Sequence, residues 1–220
     1  MKNIIITGST GMVGKGVLLE CLDHHQVAKI LLINRNPIGI NHPKITEIIH
    51  DDFLNFEDIK DSFSGYDACF HCMGVSSLGM DETTYVKLTY LVTEALATAL
   101  YDINANMTVT YVSGDGTDSS ESGSIMWARI KGKTENMLFN KGFNDVYAFR
   151  AGAILPEKGV KSKVLWINLL YLVLKPMFPL LKRLSFITTS SRVGKAMILL
   201  IYQPCKQKIL SNTQINQLTS

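Results

Sequence analysis

The sequence has little excess of charge of either sign. Its 220 residues include 22 lysines and arginines and 19 aspartates and glutamates, so the formal net charge is +3. A protein that binds nucleic acid through the phosphates needs Lys and Arg clustered on one face, and the near-balanced total gives no sign of such a face. We therefore expect no nucleic-acid partner. The length fits one α/β domain with a substantial core.

Cysteine is also scarce. Of the four cysteines, Cys69 and Cys72 form a C-x-x-C pair inside "DACFHCMG", a segment typical of a buried strand. A zinc site would need a second pair of Cys or His residues at ligand spacing, which the sequence lacks. We interpret the pair as free, buried thiols and predict no metal, with a redox pair or half a metal site as the alternative. Reduced thiols favour a cytoplasmic location.

Long apolar runs that could cross or enter a membrane are missing. The run "NIIIT" at the start is too short for the apolar part of a signal peptide. The most apolar stretch, residues 164–184, contains Lys175, Pro176 and Pro179. Its uninterrupted part is shorter than the roughly 20 residues that span a bilayer. We expect two helices there, covering a substrate cleft, with contact to a membrane surface as a minor alternative.

What the sequence does have is an alternation of strands and helices. Strands are predicted at 3–7, 29–35, 44–50, 67–73, 107–113 and 145–151, and helices at 12–23, 81–102, 124–141 and 190–203. Nearly continuous apolar strands in such an order predict a parallel sheet with helices on both faces. We expect a single α/β domain over 1–220, with a core at 1–155 and a small C-terminal helical cap at 156–220. The tail after Cys205 is short and polar.

The first strand and helix are joined by a glycine motif, T-G-S-T-G-M-V-G at residues 7–14. Gly8 would allow a sharp turn, Gly11 a close approach of backbone amides to a pyrophosphate, and Gly14 close packing of the helix on the strand. The pyrophosphate would lie at the N-terminus of the helix at 12–23. A glycine-rich turn with no ligand is the alternative. The predicted dinucleotide contacts at this motif are Gly8, Thr10, Gly11, Met12, Val13 and Gly14.

The next strands suggest which dinucleotide binds. The second strand ends in Asn34 and Arg35 and lacks the Asp or Glu that receives the ribose 2′-OH in NAD sites. The guanidinium of Arg35 suits a 2′-phosphate, which favours NADP(H), with NAD possible. Lys15 could add a second positive charge, although both cations could also be solvated surface residues.

Two further strand ends complete the predicted cofactor site. Asp52 and Phe53, after the third strand, suit an adenine pocket, with a carboxylate for the amine and a ring for its edge. Met73 and Gly74, after the fourth strand, would let the backbone approach the adenosine ribose.

Together these segments resemble the atypical branch of the short-chain dehydrogenase/reductase family. The similarity rests on the glycine motif, "INRNP" at 33–37, "HDDF" at 50–53, "CMG" at 72–74, "YVSG" at 111–114, the W-x-x-x-K segment at 127–131 and "FRAGAILPEKG" at 149–159. It covers about the first 160 residues well. The resemblance implies a Rossmann-type, doubly wound fold that binds NAD(P), as in sugar-nucleotide-epimerase-like proteins, and says little about the substrate.

In that family a Ser, a Tyr and a Lys carry out the chemistry. The resemblance implies that Ser113 orients the substrate carbonyl and that Lys131 holds the nicotinamide ribose. At the Tyr position this chain has Trp127, one helical turn before Lys131. Indole only donates and does not titrate, so Trp127 cannot act as a general acid or base, and we expect it to pack.

Other groups could take over the missing proton transfer. Tyr85 and Lys87 on the helix at 81–102, Ser113 itself or an ordered water are candidates, and Ser113 could instead be a simple turn residue.

Two functions follow from these expectations. The first is an NADP(H)-dependent oxidoreductase acting on an unknown small molecule, with Ser113 and Lys131 as catalytic residues. The alternative is a non-catalytic protein, a redox sensor or scaffold, whose bound dinucleotide sets its affinity for a partner. The resemblance also implies a possible homodimer through the helices at 81–102 and 124–141.

Overall fold

A computed structural model of the chain describes residues 1–160 and 184–220. In this part, seven strands form one parallel sheet. They are β1 (Lys2–Thr7), β2 (Val27–Asn34), β3 (Ile45–Ile49), β4 (Ala68–His71), β5 (Thr108–Val112), β6 (Asp145–Arg150) and β9 (Ile209–Ser211). Their order in the sheet is β3-β2-β1-β4-β5-β6-β9. A small second sheet pairs β7 (Ala153–Leu155) with β8 (Ile187–Thr189). The helices predicted within 164–184 fall almost wholly outside the described residues.

The helices lie close to their predicted positions. They are α1 (Met12–Asp23), α2 (Glu82–Val86), α3 (Val92–Ile103), α4 (Met126–Asn140), α5 (Ser190–Tyr202) and α6 (Asn212–Leu218), with a 3-10 turn at Lys60–Phe63. The long helix predicted at 81–102 is interrupted by a π-helical turn at Lys87–Leu91. None of the described helices is both long and apolar enough to cross a bilayer.

Both faces of the sheet are buried, which explains the continuous apolar strands. In β1, Ile4 and Ile6 belong to the core on the side of α1 and α5, while Ile5 belongs to the core on the side of α3 and α4. A strand places successive side chains on opposite faces, so every position must be apolar when both faces are covered. The predicted α/β, doubly wound, Rossmann-type fold is confirmed.

The end of the chain contains two elements that the sequence pattern does not predict. The tail after Cys205, which is short and polar in sequence, contains β9, which pairs in parallel with β6, and α6. Leu210 and Ile215 are buried in the main core. A three-residue strand has no periodicity of its own, and its burial comes from pairing with β6.

Part of the segment predicted as a cap also joins the central layers. Helix α5 packs on α1 so closely that a Cβ at Gly16 would lie 2.4 Å from the Cβ of Ser190. The division of the chain at residue 155 and the homodimer stay predictions.

Candidate functional site

The turn from β1 to α1 depends on two glycines. Gly8 has φ +73°, and a Cβ there would lie 2.7 Å from the backbone of Cys72 and Met73 at the end of β4. A Cβ at Gly14 would lie 2.2 Å from the carbonyl oxygen of Gly8. The obstructing atoms are backbone atoms, so neither position accepts a larger residue without moving the turn. The turn therefore brings the start of α1 against the carboxyl edge of β1 and β4.

The first turn of α1 has the properties of an anion site. Gly11 precedes the helix and provides no side-chain cap, and the first turn contains no acidic residue. Among the atoms of the described residues, only the Gly8 oxygen lies within 4 Å of a Cβ built on Gly11, at 3.3 Å. The predicted contacts Met12 and Val13 begin this helix, where backbone amides and the helix dipole favour a phosphate. The residues present therefore fit a dinucleotide pyrophosphate.

A pocket beside this turn gathers residues from four strand ends. It is lined by Gly8, Thr10, Ile33, Asn34, Arg35, Asn36, Phe53 and Met73, of which all but Ile33 and Asn36 belong to the predicted cofactor site. Next to Met73, a Cβ at Gly74 would have no atom of residues 1–160 or 184–220 within 4 Å, so among these residues the space over Gly74 is open. Asp52 is exposed, and its Oδ1 accepts the backbone amide of Leu54 at 3.0 Å.

The side chain of Asn34 is used within the protein. Its Oδ1 accepts from Ser9 Oγ at 2.9 Å, and its Nδ2 donates to Glu47 Oε1 at 2.7 Å. Asn34 thus ties the glycine loop to β3, and Arg35 follows it on the surface. Sequence reasoning missed both partners. A Glu in the middle of the apolar segment "ITEII" was the available signal.

Ser113 lies directly after β5 and is almost fully buried. Its amide donates to Phe149 O at 2.9 Å, and its Oγ lies 2.9 Å from Thr117 Oγ1. Because the Thr117 hydroxyl donates to Gly114 O at 2.7 Å, Ser113 is the donor in the Ser–Thr pair. The hydroxyl is therefore held in one orientation at the carboxyl edge of the sheet.

Trp127 begins the first turn of α4 and packs on the loop that follows Ser113. Cβ atoms built on Gly114 and Gly116 would lie 3.5 Å from the indole carbons Cζ3 and Cη2. The same loop touches α4 again further on, where a Cβ at Gly132 would lie 1.7 Å from Asp118 O. The indole thus supports the loop that carries Ser113.

Lys131 lies one turn after Trp127, and its Nζ is 5.3 Å from the centre of the Tyr111 ring. Burial lowers the pKa of Lys131 to about 8, against the opposing effect of Glu135. Glu135 is fully engaged elsewhere, because Arg150 Nε reaches both carboxylate oxygens at 3.1 Å and Nη2 reaches Oε2 at 2.6 Å. Within residues 1–160 and 184–220, Lys131 makes no hydrogen bond or ion pair.

A buried histidine lies beneath this part of the site. His71 Nδ1 is 2.6 Å from Thr7 Oγ1, and Nε2 is 3.1 Å from Thr93 Oγ1. Its ring stacks on Tyr111 with centroids 5.6 Å apart. Burial, helped by the charge of Lys131, lowers the pKa of His71 to about 3. Sequence reasoning missed His71, because one His in the run "ACFHCM" looks like part of an apolar strand.

The remaining candidates are placed as follows. Tyr85 is buried and Lys87 is exposed, and their part in proton transfer stays a prediction. Both thiols of the pair are free, as predicted, but only Cys69 is fully buried, whereas Cys72 is partly exposed. Desolvation raises the pKa of Cys72 to about 12. In the described part of the chain, no three His, Cys, Asp or Glu side chains group to hold a metal ion.

Comparison with known proteins finds one matching family and several relatives of moderate identity. The family described as NAD dependent epimerase/dehydratase matches residues 4–122, that is 119 of the 220 residues. Protein HTATIP2 of Rattus norvegicus is 26% identical over 162 residues, which is 71% of this chain and 64% of the rat protein. Protein fmp52-1, mitochondrial, of Aspergillus terreus is 27% identical over 160 residues, 70% of this chain and 67% of that protein. The chain thus spans about two thirds of these relatives.

Solved structures share the fold at low identity. The Bordetella bronchiseptica enzyme WbmH in complex with NAD+ superposes with a TM-score of 0.66 at 16% identity, covering 92% of this chain and 72% of that one. The PhqB reductase domain from Penicillium fellutanum gives a TM-score of 0.69 at 16% identity, covering 96% of this chain and 66% of that one. At identities this low, the structural similarity shows a common fold and nothing further.

Proposed function

Because the chain belongs to the NAD dependent epimerase/dehydratase family, we propose that it binds NADP(H) at the carboxyl edge of its sheet and reduces a carbonyl group of a small molecule. The observation that carries the proposal is the pocket beside the glycine turn, where Arg35, Phe53 and Met73 meet the open N-terminus of α1. The substrate is a small molecule of unknown identity.

The chain's own residues have distinct parts in this proposal. The amides at the start of α1 hold the pyrophosphate, Phe53 packs on the adenine, and the open space over Gly74 receives the adenosine ribose. When substrate binds, the hydroxyl of Ser113 turns from Thr117 to donate to the substrate carbonyl and orients it, and Lys131 contacts the nicotinamide ribose. The bound cofactor supplies the hydride.

Arg35 supports NADP(H) rather than NAD(H). Its side chain is exposed at the end of β2 and lines the pocket, and no ion pair engages it within the described residues. A planar guanidinium matches a 2′-phosphate, whereas a 2′-hydroxyl gains little from a positive charge.

Titrations with NADPH and NADH test the binding proposal. Arg35→Ala should weaken NADPH binding about 10- to 100-fold, the effect of one charge-assisted hydrogen bond, and leave NADH binding nearly unchanged. Lys29→Ala is the matched control, since Lys29 is an exposed cation on the same strand at its opposite end. Equal losses for NADPH and NADH would contradict the assignment of Arg35, and absence of binding by either dinucleotide would overturn the proposed function.

The packing of Trp127 favours a second candidate, a non-catalytic protein whose bound dinucleotide sets its affinity for a partner. Indole cannot transfer a proton, and its contact with Gly114 and Gly116 gives it a structural role. NADPH consumption with a panel of aldehydes, ketones and quinones separates the two. Turnover by the native protein that Ser113→Ala abolishes supports the reductase. Turnover by Trp127→Tyr alone supports the non-catalytic protein.

A further inference from the structure

We infer that Lys131 itself donates the proton to the carbonyl oxygen of the substrate, taking over the step that a tyrosine one turn earlier would perform. The inference rests on the proposed reductase function and assigns Lys131 a direct chemical role in addition to holding the ribose. The decisive arrangement is a lysine whose Cδ would lie 4.0 Å from a Cβ built on Gly114, the residue after Ser113, and whose amine has no hydrogen-bond or ion-pair partner in the described part of the chain. The preceding turn of its helix carries Trp127.

The other hydroxyl and ring groups near Ser113 are poor proton donors. Without substrate, Ser113 donates its hydroxyl proton to Thr117, and Trp127, whose indole does not titrate, packs on the loop at Gly114 and Gly116. Tyr111 and Tyr85 are buried with about 1% of their surface exposed, and burial raises the pKa of both phenols. His71 is neutral, with its two nitrogens taken by Thr7 and Thr93.

Lys131 can be reached by a substrate, and no anion pairs with its charge in the described part of the chain. The residue is partly exposed, and its Nζ lies over Tyr111 and not against a carboxylate. The nearest carboxylate on its own helix, Glu135, is bound by three contacts from Arg150. A desolvated ammonium without an anion gives up its proton more easily than one in water.

Burial and one carboxylate act on the pKa of Lys131 in opposite directions. His71 on β4 and Tyr111 on β5 lie beneath it, and Tyr85 on α2 interacts with Tyr111. Glu135 favours the ammonium, but burial outweighs it and brings the pKa to about 8. The protonated form therefore dominates below pH 8, and the group releases its proton near physiological pH, as an efficient general acid requires.

The step balances without any further reactant. The carbonyl carbon accepts a hydride from NADPH, which is oxidised to NADP+, and the carbonyl π electron pair moves onto oxygen. The new O–H bond forms as an N–H bond of Lys131 breaks. The neutral amine then recovers a proton from water, so one NADPH and one proton are consumed for each alcohol formed.

Chemical labelling tests the amine without relying on turnover. Acetylation of Lys131 by acetic anhydride, followed by peptide mass spectrometry across pH, should rise with a midpoint near the pKa of about 8. Bound NADPH should protect Lys131 from acetylation. Lys133, which is exposed two residues further on, should react with or without NADPH and serves as the internal reference. A midpoint near the ordinary lysine value of about 10.4, or no labelling at any pH, would overturn the inference.

Lys131→Arg tests the role in the reaction, because arginine keeps the charge and does not release its proton. We expect NADPH affinity within about threefold of the native value and a fall of about 100-fold in kcat, the usual worth of general acid catalysis. Adding Trp127→Tyr to Lys131→Arg should restore at least about tenfold, since a phenol can again donate. In the native protein, kcat should decline as pH rises above about 8.

The outcomes separate this inference from the proposed function. Native turnover that survives in Lys131→Arg overturns the inference and leaves the reductase intact. Tight NADPH binding with no turnover of any carbonyl overturns both the reductase and the inference. Loss of turnover in Lys131→Arg with native NADPH affinity, together with the shifted labelling midpoint, establishes Lys131 as the donor.

Discussion

At the scale of single residues, His71 shows how the backbone fixes the state of a buried ring. The Thr93 hydroxyl donates to Thr89 O at 2.6 Å, so it can only accept from His71 Nε2. Nδ1 must then accept from the Thr7 hydroxyl. The ring is thus a neutral connector between β1, β4 and the helix segment that begins at the π-helical turn, and a second proton would have no acceptor in the described structure.

This arrangement makes stability depend on pH. The pKa of His71 is about 3 in the folded protein, below the ordinary 6.5, so between these values only the unfolded chain binds the extra proton. Stability is complete above pH 6.5 and should fall by roughly 1 kcal/mol per pH unit below it. Urea unfolding between about pH 5 and 6.5 measures the slope.

A pair of variants assigns this slope to one residue. His71→Gln should remove its share of the pH dependence, whereas His25→Gln, which changes an exposed ring, should keep it. Equal slopes in the native protein and in His71→Gln would refute the assignment.

At the scale of elements, Gly14 in the glycine turn and Gly74 after β4 have different roles, one in folding and one in cofactor binding. Gly14→Ala places a methyl group 2.2 Å from a backbone oxygen, while Gly74→Ala places one more than 4 Å from every atom of the described residues. We expect Gly14→Ala to lower the free energy of unfolding by about 3 kcal/mol, the upper range for overpacking. Gly74→Ala should change stability by less than about 0.5 kcal/mol and weaken NADPH binding, because the ribose needs that space.

Thermal unfolding and an NADPH titration of both variants check this prediction. Gly14→Ala should therefore show its effect in thermal unfolding, and Gly74→Ala in the NADPH titration. If Gly74→Ala binds NADPH as tightly as the native protein, the ribose does not lie over Gly74.

The elements also show where local pattern is enough and where it fails. Helix α1 was predicted at 12–23 and has those bounds, since the glycines define its start. The π-helical turn at Lys87–Leu91 was not predicted, because i→i+5 hydrogen bonds have no residue pattern of their own. Its buried residue, Thr89, accepts a hydrogen bond from Thr93 one turn further on, a contact that the apolar pattern does not show.

At the scale of the whole molecule, the sequence pattern predicted the layers and six strands of the main sheet. The pairing of Arg150 with Glu135 could not be predicted, because those residues come together only when β6 lies beside α4. For the same reason the pocket at Arg35 could be expected from strand ends, whereas the inward use of Asn34 could not. Sequence thus predicts which edge of the sheet carries the site, and packing decides which side chains remain available.

The last helix ties the end of the chain to the site, through Asn212. Its Nδ2 donates to Ala153 O at 3.0 Å and to Phe186 O at 2.6 Å, and its Oδ1 accepts from Gly152 N at 3.3 Å. Gly152 lies beside Asp115, two residues after Ser113. Asn212 therefore clamps both strands of the small sheet against the main one.

Asn212→Ala should lower the free energy of unfolding by about 2 kcal/mol, since it removes three hydrogen bonds that a buried side chain makes to the backbone. Gln217→Ala is the control on the same helix, because Gln217 is exposed. Urea unfolding followed by circular dichroism compares the two, and a single transition in both would show that α6 unfolds together with the sheet. If Asn212→Ala were as stable as Gln217→Ala, the clamp would contribute nothing. The end of the chain would then be an appendage to the fold, against the burial of Leu210 and Ile215 in its core.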